Sequence, residues 1–193
     1  MPRDAHGNHL PEEMPSINLN RPLLSALEGF ASLGSASRYE EEIFGIIDHI
    51  TLFEDLRHAE ISQLCSKMEC YCANRGDVIM KENEDGDFLV IVLTGEVAVV
   101  KQGAAGEEKQ LAVVGPGASL GEMSLINGKP RFATCIAREP TDIAVLTRDT
   151  IYDILVLHPS LGNKILLILL QITSQRLRET SDRLLPFIGG AAS

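Results

Sequence analysis

The sequence predicts a mainly β domain flanked by helices, and three observations carry that reading. Apolar residues recur with a period of two from about residue 70 to 147, and at helical spacing before and after that stretch. Gly, Asp, Asn and Pro interrupt the alternating runs at short intervals, which implies a sandwich, a jelly roll or a small barrel. A chain of 193 residues with 45% apolar content can supply one sizeable core with additions.

Residues 1–21 are polar, contain Pro2, Pro11 and Pro15, and contribute little to a core, so a flexible tail is expected there. A helical extension follows over 22–50. Its first helix, 22–30, carries Leu23, Leu24, Leu27 and Phe30 at helical spacing, and Gly34, Ser35, Ala36 and Ser37 separate it from the next. The second helix, 39–49, gathers Ile43, Phe44, Ile46 and Ile47 on one side. Glu40, Glu41 and Glu42 occupy its first turn, where acids suit the positive end of the helix dipole. A third helix, 57–68, turns Ile61, Leu64, Cys65 and Met68 inward.

The main domain spans 51–185, with its barrel at about 70–147. Strands are predicted at 78–80, 88–93, 97–100, 111–114, 133–137 and 143–146, and Cys70 and Cys72 alternate as on one face of a further strand. Gly76, Gly86, Gly95, Gly115 and Gly117 mark the corners. A short helix, 149–157, ends at His158 and Pro159, because proline disfavours helix in the residue before it and starts the next helix well. The long helix that follows, 160–185, is nearly all apolar from Ile165 to Ile172, so it needs cover on more than one side. The barrel covers one side. A second subunit is the expected cover for the other, with Ile165, Leu169 and Ile172 meeting their equivalents across a two-fold axis; the alternative is cover by the N-terminal helices. A short tail, 186–193, closes the chain.

Composition excludes several functions. A net charge of -10 and a pI of 4.9 oppose a surface that collects nucleic-acid phosphates, although one local basic pocket can still hold an anion. The start Met1-Pro2-Arg3-Asp4 lacks a secretory pattern, and the apolar run 165–170 falls far short of the ~20 residues of a membrane span, so a cytoplasmic protein is expected. Cys65, Cys70 and Cys72 are spaced C-x4-C-x-C, unlike a metal knuckle; with Cys135 they read as reduced, buried thiols without a metal. Activated Ser or Cys motifs, a P-loop lysine and a metal triad are missing from the sequence, so no catalytic residue is assigned and an enzyme is not expected.

The informative segment runs Gly117-Ala118-Ser119-Leu120-Gly121-Glu122-Met123-Ser124-Leu125, then through Asn127, Gly128 and Lys129 to Pro130-Arg131-Phe132-Ala133. Glycines before a short helix expose backbone N–H groups that can seat an anion. Arg131 can return across that seat with a bidentate fork for phosphate oxygens. Glu122 accepts hydrogen bonds when ionised and so suits a sugar hydroxyl. Together they describe a receptor for a ribose phosphate.

At these residues the chain resembles the cyclic nucleotide-binding domains of catabolite activator-like regulators, protein kinase regulatory subunits and gated channels. The resemblance covers about residues 52–185: Gly86-Asp87-Phe88 through Leu93-Thr94-Gly95-Glu96-Val97 is similar to the family's strand–glycine–strand signature, and Gly121-Glu122 through Pro130-Arg131 to its phosphate-binding cassette. It implies a double-stranded β-helix, or jelly roll, with N-terminal helices and a long C-terminal helix. It also implies that Glu122 binds the ribose 2′-hydroxyl, that Arg131 binds the cyclic phosphate, and that Gly121, Met123, Phe132 and Ala133 complete the cradle. Phe132 stands where the family usually has Ala, Ser or Thr, so its ring either narrows the purine pocket or stacks on the base. Thr173, Ser174 and Arg176 occupy about the stretch of the long helix that caps the base in the family, although Thr173 and Ser174 arrive one helical turn early. The implied function is a regulatory module that senses cAMP, with cGMP as the nearest rival, and signals through its C-terminal helices to an unidentified output protein. An interaction domain with a vestigial pocket, and a transcription-regulator relative acting through a separate DNA-binding partner, are the alternatives. Residues 186–193 are too few for a helix-turn-helix, so direct DNA binding is not expected.

Overall fold

The computed structural model describes residues 27–103 and 105–188. Two antiparallel sheets face each other: one of five strands in the order β1-β2-β9-β4-β7, the other of four in the order β3-β8-β5-β6. The strands are β1 Ala31–Ser35, β2 Glu69–Ala73, β3 Val78–Met80, β4 Phe88–Val92, β5 Val97–Gln102, β6 Glu108–Val114, β7 Ser119–Leu120, β8 Thr134–Ala137 and β9 Thr141–Thr147. This is the expected jelly roll.

Period-two patterning explains why the larger sheet has a core on each side. In β4 the side chains of Phe88, Val90 and Val92 enter the space between the sheets with Ile79, Val97, Cys135, Ile143 and Val145. Leu89 and Ile91 point the other way, into a second core. There they join Ala144 and Leu146 of β9 and the apolar faces of the helices. Register between β4 and β9 sets Val90 opposite Val145 and Ile91 opposite Ala144, and a slip of one residue would exchange the two faces.

The helices cover that second core: α1 Glu40–Gly45, α2 His58–Cys65, α3 Glu122–Asn127, α4 Arg148–Leu157 and α5 Pro159–Ile188. Thr147 caps α4, its hydroxyl oxygen accepting the Thr150 N–H at 3.1 Å. Gly162 lets α5 close on α4, because a Cβ there would lie 2.8 Å from the Leu155 Cα. The buried face of α5 consists of Leu161, Ile165, Ile168, Leu169 and Ile172. Each such side chain contributes roughly 1.5–3 kcal/mol relative to exposure.

Several expectations are corrected. The predicted helix 22–30 lies partly outside the described residues; its described end, 27–30, is a turn in which the Phe30 N–H donates to the Leu27 carbonyl at 3.0 Å. Residues 31–35, read as a separator, form β1 instead, because β2 offers an open edge and Gly34, at φ +85°, absorbs a register shift that a side chain would resist. The predicted helix 39–49 is broken into a 3-10 turn at Ala36–Tyr39, α1, and a second 3-10 turn at Ile47–His49. Ile46 and Ile47 nonetheless pack against the helical core, with Ile43 buried in it. Ile165, Leu169 and Ile172, expected at a subunit interface, are buried within the chain; Leu167, Leu170, Leu177 and Leu184 are exposed instead. The tails 1–21 and 189–193 lie outside the described residues, whereas 186–188 continue α5.

All four cysteines are free thiols. Burial pushes Cys65 and Cys70 up to about 12 and Cys135 up to about 11, which keeps them as protonated, compact apolar groups. Among the described residues no cluster of three or more His, Cys, Asp or Glu is placed to hold a metal ion, and no helix is long and apolar enough to cross a membrane.

Candidate functional site

The loop between β7 and β8 builds the site by folding back on itself. Gly121 takes φ +89° at the head of α3 and Gly128 takes φ +66° at its end, so the short helix is closed by a left-handed residue on each side. The chain then returns to Arg131, whose backbone N–H donates to the Glu84 carbonyl at 2.7 Å while its carbonyl accepts the Asn83 N–H at 2.9 Å. These bonds aim the Arg131 side chain inward.

Arg131 is only 4% exposed. Its Nη1 donates to the Gly121 carbonyl at 3.1 Å, and the guanidinium lies 4.5 Å from the centre of the Phe88 ring. Two glycines leave it room: a Cβ at Gly86 would stand 2.1 Å from Nε, and one at Gly121 would stand 2.5 Å from Nη1. Burial lowers its pKa, opposed by Cys135, Asp87 and Glu122, but a guanidinium stays charged. Among the described residues no carboxylate lies within ion-pair distance of it.

Glu122 is 1% exposed. Its Oε1 accepts from Arg176 Nη1 at 2.6 Å, and Arg176 Nη2 donates to the Ser119 carbonyl. Its Oε2 is buried and has no hydrogen-bond partner. An unpaired carboxylate oxygen in a dry site is costly, and that cost falls when a donor arrives.

The sequence-predicted residues Gly121, Glu122, Met123, Arg131, Phe132, Ala133 and Arg176 line one cavity of about 70 Å³, with Met80, Val99, Leu120 and Ser124. Thr173 and Ser174 are not brought to it. The Thr173 hydroxyl donates back to the carbonyls of Leu169 and Leu170, both at 2.9 Å. Ser174 lies about 200° round the helix from Arg176 and borders a separate groove with Leu167 and Leu170. Arg176 also borders a wider groove of about 720 Å³, but Glu54, Asp55 and Glu179 line that one and make it a poor seat for an anion.

Sequence reasoning missed Met80 and Val99 in the lining, and it missed a brace behind the cavity. Arg148, the first residue of α4, donates through Nη2 to the Ser124 carbonyl at 2.7 Å and through Nε to the Leu125 carbonyl at 3.1 Å, with a longer contact from Nη2 to the Gly86 carbonyl at 3.3 Å. It therefore grips α3 from α4. The available signal was a cation at a helix start, which the dipole disfavours and which implies a tertiary partner.

Comparison with known proteins agrees with this fold. The family profile described as cyclic nucleotide-binding domain matches residues 73–158. The crystal structure of a cyclic nucleotide-binding domain from Methylobacillus flagellatus KT superposes with a TM-score of 0.74 at 47% identity, covering 81% of this chain and 88% of that one. A CRP-like cAMP-activated global transcriptional regulator of Mycobacterium tuberculosis is 24% identical over 74% of this chain and 62% of its own length. A cAMP-dependent protein kinase regulatory subunit of Yarrowia lipolytica is 28% identical over 68% of this chain and 34% of its own. The chain thus spans less than two thirds of either of these two relatives. With its jelly roll, its cassette and its buried Arg131 and Glu122, this chain belongs to the cyclic nucleotide-binding domain family.

Proposed function

We propose that the chain is a regulatory module that binds a cyclic nucleotide, cAMP ahead of cGMP, and passes the binding event to α4 and α5 rather than catalysing a reaction. One observation carries the reading: a buried cation without a carboxylate partner, Arg131, and a buried carboxylate oxygen without a donor, Glu122 Oε2, share one cavity. A phosphate answers the first and a sugar hydroxyl answers the second. In a vestigial pocket Arg176 would still pair Oε1 of Glu122, but Oε2 would keep no donor and Arg131 no anionic partner, each at a cost. The relatives described as cAMP-activated and cAMP-dependent favour adenine over guanine.

The cavity, at about 70 Å³, is well below the ~300–1,000 Å³ of ordinary small-molecule pockets. Entry of a nucleotide therefore requires the walls to part. Arg176 is the wall residue carried by α5, and Arg148 ties α3 to α4, so widening the cavity bears on both C-terminal helices.

The proposal includes a homodimer through α5. Leu167, Leu170, Ser174, Leu177, Ser181 and Leu184 follow steps of three and four residues, the spacing of a two-helix seam, and the leucines among them are exposed. The net charge of -10 leaves nucleic-acid contact to a separate output protein. Calorimetric titration with cAMP, cGMP and cyclic dinucleotides tests the ligand. Saturable heat with a cyclic mononucleotide is expected; no heat with any of them would overturn the reading in favour of a vestigial interaction domain.

A further inference from the structure

We propose that Phe132 is the stacking platform for the nucleobase and that Lys101 and Glu82 are the positioning residues that hold its ring in place; the inference rests on the cyclic-nucleotide reading above. The cavity is graded by depth. Arg131 at 4% and Glu122 at 1% exposure lie at the bottom and the more exposed Arg176 in the wall, whereas Phe132, at 53%, and Met123 stand at the mouth. A ligand with an anionic, hydroxylated end and a flat, apolar end enters with the anionic end inward and leaves the flat end beside Phe132.

The ring is not a loose surface side chain. The Lys101 ammonium lies 4.1 Å from its centre and donates to the Phe132 carbonyl at 2.6 Å and to Glu82 Oε1 at 2.7 Å. Glu82 is itself pinned: Oε2 accepts the Gln102 N–H at 2.9 Å, and its own N–H donates to Thr134 Oγ1 at 3.0 Å. Both the backbone and the ring of Phe132 are thereby tied to β5 and β8. Phe132 lines the cavity and Lys101 does not. A half-exposed aromatic ring that is fixed before the ligand arrives loses little freedom on stacking. Stacking also tolerates any base but rewards the larger π surface of a purine.

The test titrates the full chain and its variants with cAMP and cGMP against the cyclic monophosphates of cytidine and uridine, with thermal unfolding as a check on the fold. The wild type is expected to prefer purines. Phe132→Ala should lose about tenfold to a hundredfold in purine affinity and much less for pyrimidines, so that the ratio falls towards one. Phe132→Trp should keep the ratio. Lys101→Met and Glu82→Gln should lower it partway, and Lys101→Arg, which keeps a cation over the ring, should restore it. An unchanged ratio in Phe132→Ala, or tighter binding as if a plug had been removed, would overturn the platform while leaving the cyclic-nucleotide reading intact. Absence of binding by the wild type would overturn both.

Discussion

The two halves of α5 share one helix and have different physical roles. The first half is part of the core: Leu161, Ile165, Ile168, Leu169 and Ile172 are buried against β4, β9 and the other helices. It is also tied down at its start, where Lys164 donates to both oxygens of Glu60 on α2, at 3.0 and 2.8 Å. Among its described side chains the second half has no such face. Leu177, Leu184 and Leu185 are exposed, and its tie to the domain is polar, through Arg176 to Glu122 and to the Ser119 carbonyl. Apolar burial holds a segment whatever the ligand does, whereas a polar contact made to a binding residue can be renegotiated when a ligand arrives. The first half therefore reads as structure and the second as the responsive part.

The largest expected effect separates the halves by one substitution in each. Ile165→Asp puts an unpaired carboxylate at a position with 0% exposure and should unfold the domain. Leu177→Asp, at a position 68% exposed, should leave thermal stability nearly unchanged and instead convert a dimer to a 21.0 kDa monomer in sedimentation at micromolar concentration. A wild type that sediments as a monomer would remove the dimer from the proposal, and a Leu177→Asp protein that unfolds would erase the contrast between the halves.

Next in size is the loss on truncating the buried cation. Arg131→Ala removes hydrogen bonds to a charged group worth roughly 1.5–3 kcal/mol each, so two such bonds correspond to about a hundredfold or more in cyclic-nucleotide affinity. The variant also leaves space above Phe88, and calorimetry should be read beside a melting curve. Affinity within a few-fold of wild type would take Arg131 out of the site.

How much of this was legible in the sequence depends on the range of the contacts. The cassette spoke locally: Gly121, Glu122 and Arg131 lie within one loop, so the roles proposed for them follow from residue type and spacing. The strands and α5 were legible because period two and a proline at Pro159 are local signals as well. Contacts made at a distance were not. Nothing near Arg148 announces the α3 carbonyls it grips, and β1 exists because β2 has an edge to fill rather than because residues 31–35 favour a strand. The buried and exposed faces of α5 could not be told apart either, since one carries leucine and isoleucine and the other leucine, and only packing decides which one turns inward.

Arg176→Ala sharpens the comparison at the responsive half. Arg176 occupies Oε1 of Glu122 and leaves Oε2 open to the proposed sugar hydroxyl, so it orients the carboxylate as well as tethering the helix. Removing it should weaken cAMP binding by about tenfold and shrink the penalty for a 2′-deoxy ligand, because a freely turning carboxylate selects less sharply for that hydroxyl. Tighter binding in this variant would mean that Arg176 blocks the cavity instead of preparing it.

The smallest effect concerns pH and belongs to the fixed half. Hydrogen bonds from Arg57 and Lys164 hold the Glu60 carboxyl down at about 2, below the value of 4.5 it has when free. A carboxylate whose pKa is depressed by folding contributes stability that is fully present above the unfolded value. Between pH 4.5 and 2 the unfolded chain binds the proton more readily, so this contribution shrinks as the pH falls and is gone below about 2. Its size is modest, because Arg57 is exposed and Lys164 is half-buried, and water and salt screen both cations. Urea unfolding at a series of pH values should therefore show a shallow loss of stability through this window, flattened in Glu60→Gln and reduced in Lys164→Met. Ligand affinity at neutral pH should be untouched in both variants, since the pair fastens the start of α5 and the cavity meets the helix at Arg176, more than three turns further on. A Glu60→Gln protein that unfolds with the wild-type pH profile would assign the acid sensitivity to other carboxylates. One that also loses cyclic-nucleotide affinity would show that the two halves of α5 move as a single lever.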